Sequence, residues 1–247
     1  MKNSAERAIA TVPSWVLALL AISFCLQVTW QASQPKPSAR AEALGDPPAS
    51  SVLRAAALGE PIALAQFLTL YLQAFDNQPG VSIPFAELDY SRVTAWLDAI
   101  LALDPVGQYP LLMASQIYSQ VPDPVKQRRM CDFVRRQFDL DPNRRWRWLA
   151  HCAIVAKHRL RDTRLALDYA DAIARDARLA SGWARQMRIF MLEDLGEIEA
   201  ATVLLGGLLA SGEVSEQKEI HFLTKKLEEL KAAGKSSPPS GTRHPQP

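Results

Sequence analysis

The feature that most restricts this chain is a recurrence. "LALDPVGQYPLL", from Leu101, and "LDPNRRWRWLA", from Leu140, each carry Leu-Asp-Pro followed by an aromatic four residues after the proline. Pro105 to Pro142 is 37 residues, Tyr109 to Trp146 is 37, and 37 more reaches Trp183 at the head of "GWARQMRIFMLEDLG". A period of that length marks a two-helix repeat, in which each unit buries its apolar face only by stacking on its neighbours. The aromatics Tyr109, Trp146 and Trp183 then read as packing residues that lock each first helix to the next, because large rings bury large areas. Trp148, two residues beyond Trp146, points to a different face, where it is either buried by the next helix or lines a binding surface.

The flanking pattern is helical throughout. Prolines 61, 84, 105, 122, 124 and 142 fall at the ends of apolar-periodic runs, and no alternating strand pattern of useful length appears. The spacing predicts helix pairs at 61–76 with 89–103, 107–120 with 124–139, 144–158 with 162–177, and 180–194 with 197–211. A last polar-faced helix at 215–232 would cap the array.

Ahead of the repeats, "VPSWVLALLAISFCLQVTW" from Val12 to Trp30 holds no charge across nineteen residues, the length an α-helix needs to cross a hydrocarbon core. Trp15 and Trp30 sit near its ends, where amphipathic rings prefer the interface. Trp30 spoils Ala32 as a signal-peptidase site, and Phe24 is too large to precede a lipidated Cys25, so an uncleaved anchor is expected. Lys2 and Arg7 precede the span and Lys36 and Arg40 follow it; the short basic stub is expected in the cytoplasm and the body outside, which in a bacterium is the periplasm. The predicted divisions are a stub (1–11), an anchor (12–30), a Pro/Ala/Ser-rich flexible linker (31–51), a repeat domain (52–212), a capping helix (213–233) and a disordered tail (234–247).

The "LALDP" and "FDLDP" helix ends, "ALDYADAIARDA" from Ala166, and "LGEIEAA" with Gly196 and Ala201 resemble the tetratricopeptide (TPR) superfamily over residues 60–212. The repeat is 37 rather than 34 residues, its aromatic comes early in the first helix, and the Leu-Gly pair expected inside that helix is missing, so related α-solenoid families stay open. The expected fold is all-α, a transmembrane helix followed by an α-solenoid of TPR-like helix pairs; the resemblance itself implies the curved stack of helix pairs, whose concave face binds proteins or peptides.

The net charge of +2 makes no demand on a partner, but its distribution does. Residues 126–164 hold twelve Lys and Arg against Asp132, Asp139, Asp141 and Asp162, a local excess of eight on an otherwise acidic chain. Clustered arginines suit carboxylate and phosphate, so Arg128, Arg129, Arg135, Arg136, Arg144, Arg145 and Arg147, with Trp148, form the candidate partner-binding set. The competing reading is a set of solvated helix faces whose arginines pair with those aspartates and with acids of adjoining units. A protein partner is expected first and an anionic lipid or glycan second; a body outside the membrane would rarely meet nucleic acid.

Signals for catalysis are thin. His151 and His158 are two helical turns apart, and His151 and Cys152 diverge as sequence neighbours. "LLGGLLASG" from Leu204 lacks the lysine and the strand of a phosphate loop. No catalytic residue, metal site or cofactor is therefore assigned, and Cys131 and Cys152 could pair only in an oxidising compartment.

Overall fold

The structure is a computed structural model that describes residues 12–34, 41–78, 80–212, 214 and 216–236; the expected stub and most of the expected tail lie outside them. The chain forms two compact units, one of residues 1–41 with 78–82 and the other of residues 42–77 with 83–247.

The first unit contains α1 (Ser14–Ser33), an apolar helix with no buried residue, long enough to cross a membrane. Its few hydroxyls turn inward: Ser23 and Thr29 donate to the carbonyls of Leu19 and Cys25 one turn back, which keeps polar hydrogens off the apolar surface.

The second unit is helical, with α2 (Ser50–Ala56), α3 (Pro61–Ala74), α4 (Tyr90–Leu103), α5 (Tyr109–Leu112), α6 (Pro124–Leu140), α7 (Pro142–His158), α8 (Thr163–Asp176), α9 (Gly182–Asp194), α10 (Ile198–Ser211) and α11 (Gln217–Ser236). The helices predicted for the four pairs are recovered to within two residues at each end, except that 107–120 is α-helical only at Tyr109–Leu112. Five of these helix starts, those of α3, α4, α6, α7 and α8, follow from local chemistry. Asp89, Asp123, Asp141 and Asp162 cap α4, α6, α7 and α8 by accepting from backbone N–H groups of the first turn, and Pro61, Pro124 and Pro142 occupy first-turn positions where no N–H is needed. Asp141 both ends α6 and starts α7, so the Asp-Pro pair there is a hinge between two helices.

From α6 onward each helix packs on the next, and α4 also packs on α6. Polar contacts between elements recur at the repeat distance. Lys126 reaches the Leu88 carbonyl 38 residues back, Gln137 reaches Asp98 39 back, Trp148 reaches Gln108 40 back and Leu179 reaches Asn143 36 back, while Lys226 reaches Glu193 33 back. Tyr118, Phe133, Phe138, Leu149 and Ile173 fill the core between the layers.

Three features depart from the sequence reading. The expected linker of residues 31–51 is shorter: α1 runs to Ser33, Leu44 is 2% exposed, and Arg92 and Trp96 of α4 donate to the carbonyls of Leu44 and Gly45, which pins this stretch to the body. A single leucine among Pro, Ala and Ser sufficed, because two side-chain donors were waiting for its backbone. The long loop after α3 contains two two-residue strands, β1 (Asn77–Gln78) and β2 (Val81–Ser82), and a 3-10 turn at Phe85–Glu87. Finally, α5 continues as a π turn (Met113–Ile117) and a 3-10 turn (Tyr118–Gln120) instead of a regular helix. Carbonyls freed there are taken by side chains: Tyr90 donates to Tyr118, and Arg159 to Ser119 and Gln120.

Candidate protein-docking face

The basic zone does not form one surface. On α6, Arg128, Arg129 and Arg136 share a stripe and line a groove of about 640 Å3 with Val125 and Leu160. Most of its charge is already matched. Arg128 pairs with Asp132 and Asp162 at 3.0 and 3.6 Å, Arg136 with Asp98 at 3.5 Å, and Arg135 with Asp139. Arg144 of α7 pairs with its own cap, Asp141, at 2.8 Å. All four aspartates of the zone are thus engaged, and Arg129 and Arg147 have no acid partner among the described residues.

Two candidates are not on the surface. Arg145 is 3% exposed; its Nη1 donates to the Gln137 carbonyl and side-chain oxygen at 2.6 and 2.7 Å, and its Nη2 to the Pro105 carbonyl at 2.7 Å. Burial holds its pKa below the ordinary arginine value. Its work is to tie the α6–α7 hinge to the end of α4, one repeat earlier. Trp148 is 9% exposed and donates from Nε1 to Gln108 at 2.7 Å. Neither side chain can meet a partner.

Of the aromatics expected in the core, Tyr109 and Trp183 lie outward and Trp146 is half-buried. Trp183 is 54% exposed, and its ring meets Trp146 edge to face at 5.8 Å across α7 and α9. Arg147 lies over the Trp146 ring at 5.6 Å, and Leu179, whose N–H is held by Asn143 at 2.9 Å, is exposed just before α9. Tyr109, one repeat earlier, is exposed too and lines an apolar groove of about 440 Å3 with Leu70 and Pro110. The first helices of successive pairs therefore present Tyr109 and Trp183 on the outside, with Trp146 half-buried between them and the core. Their 37-residue period located them in the sequence; two positions, 146 and 148, competed for the core, and periodicity alone does not say which faces in.

The groups that bear on chemistry are dispersed. Cys131 of α6 and Cys152 of α7 are free, buried thiols, and burial first, then the neighbouring Cys131, pushes the Cys152 thiol well up. His151 is half-buried, with Nε2 unpartnered; burial and then Arg159 hold its pKa below the usual value. No group of three His, Cys, Asp or Glu side chains that could hold a metal ion occurs among the described residues.

Comparison with known proteins finds no matching family model, no matching curated protein and no matching solved structure.

Proposed function

We propose that this chain is a membrane-anchored, non-catalytic scaffold of the bacterial cell envelope, in which a TPR-like solenoid of helix pairs docks a protein partner on the face of its first helices. The polar contacts at separations of 33 to 40 residues support the stacked-repeat reading, since neighbour-to-neighbour contact is what a repeat array produces. The docking face rests on one observation: the exposed Trp183 packs edge to face on the half-buried Trp146, whose ring carries the unmatched Arg147, and Leu179 just before α9 is exposed as well. Tryptophan and arginine are the side chains that most often dominate protein interfaces. The apolar α1 anchors the body, placed on the periplasmic side by the short basic stub.

A photoreactive phenylalanine analogue in place of Trp183, in cells, tests this. The expected result is a discrete protein adduct that disappears on Trp146→Ala. Adducts spread without preference, or found only when the probe replaces Val125 in the α6 groove, refute it. The second reading, an anionic lipid or glycan at Arg128, Arg129 and Arg136, is favoured only by the unmatched Arg129. It requires that Arg129→Glu with Arg136→Glu abolish binding while Trp183→Ala does not.

A further inference from the structure

We propose that α3 lies along the membrane surface, with its outward face in the boundary between headgroups and acyl chains. A surface helix of a folded body carries an apolar stripe inward and polar side chains outward. On α3, Ala65, Leu68, Thr69 and Leu72 face the core, as that rule requires. The opposite face, Ala63, Phe67, Leu70 and Ala74 at helical spacing, is also apolar, and Phe67 and Leu70 are 64% and 63% exposed. No residue from Pro61 to Phe75 carries a charge at neutral pH, Tyr71 being a neutral phenol there, and the exposed polar side chains of the helix, Gln66 and Gln73, lie at the flank of this face. By contrast α7, the first helix of a later pair, exposes Asn143, Arg144, Arg147 and His158.

The turn into α3 repeats the theme. Leu58 sits in the left-handed region at φ 49°, a conformation suited to glycine, and its side chain is 90% exposed. Gly59 follows at φ 93°, and the axes of α2 and α3 meet at 112°. A leucine forced outward at a strained turn is poorly placed for water and well placed for an acyl layer.

The occupant is indicated by the chain itself. Only residues 34–41 separate the end of α1 from the first residue of the folded body. Eight intervening residues span at most about 30 Å, so a bilayer crossed by α1 is always within reach at high effective concentration. The face carries no charge, so attraction to it is apolar and insensitive to headgroup charge and to salt. This inference rests on α1 inserting in the membrane.

The test uses the full chain with Cys25→Ser, in phosphatidylcholine bilayers, carrying a nitroxide at one of four single substitutions: Leu20→Cys in α1, Phe67→Cys, Leu70→Cys, or Leu179→Cys as an exposed control. Collisions with oxygen, which partitions into lipid, are compared with collisions with a water-soluble nickel chelate. The expected oxygen-to-nickel ratios at positions 67 and 70 are several-fold above that at 179, approach that at 20, and do not change with salt. A water-like ratio at 67 and 70 with a lipid-like ratio at 20 overturns the proposal and leaves the anchor standing. A water-like ratio at 20 overturns both. Labels at 67 and 70 that are immobile and shielded from both reagents show that protein, such as a second copy of the chain, covers the face, and that also overturns it.

Discussion

Removing Arg145 should cost far more than removing its neighbour Arg144, although both belong to the same basic run. The Arg145 guanidinium makes three short hydrogen bonds in a site that is 3% exposed, joining Gln137, eight residues away, to Pro105, forty residues away. Hydrogen bonds from a charged donor contribute about 1.5–3 kcal/mol each, offset by the cost of burying the cation, and its Nε has no partner. The Gln137 carbonyl, in the last turn of α6, has no helical partner to replace the lost one. Lost packing of the buried methylenes adds to this. We expect Arg145→Ala to destabilise by about 3 kcal/mol, a fall in Tm of roughly 6–12 °C for a body of this size. Arg145→Lys should recover little, because one ammonium cannot span both partners. Arg144→Ala breaks only an exposed pair and should cost less than about 1 kcal/mol. Thermal unfolding followed by circular dichroism in detergent decides it. Equal Tm values for Arg145→Ala and Arg144→Ala would refute the reasoning.

Two further outcomes follow from the buried groups. In the native protein, Cys131 and Cys152 should alkylate far more slowly than Cys25 and should both react once the chain is denatured, which mass spectrometry after iodoacetamide treatment will read. For His151, the folded pKa lies below the unfolded value, so the unfolded chain takes up a proton that the folded chain resists; stability is lost as pH falls through about 6.5 toward the folded pKa. The fall in Tm between about pH 7 and about pH 5 should be shallower in His151→Gln, and an unchanged slope would show that another group is responsible.

The helices were legible because their signals are local. Capping aspartates, first-turn prolines and apolar periodicity act within a few residues, and they placed α3, α4 and α6 to α10 close to their observed ends. The π turn after α5 was not legible, since it depends on Tyr90 and Arg159, contributed by distant helices, to satisfy the carbonyls it releases. Leu44 was read as linker for the same reason: its anchors, Arg92 and Trp96, lie about fifty residues away.

The candidate face shows the same division. The recurrence identified the aromatic positions and the charge count identified the basic zone, both properties of the chain as a string. Whether Trp146 or Trp148 entered the core, and whether Arg145 met a ligand or the Pro105 carbonyl, was decided by the angle at which α7 seats on its neighbours. A rotation of one or two residues around a helix exchanges inside for outside. Composition and period therefore determined that this chain is an array of helices behind an apolar segment. Only the packing of those helices decided that Arg145 is buried and Arg136 is met by Asp98 of another helix, and that Trp183, together with the uncharged back of α3, remains on the outside.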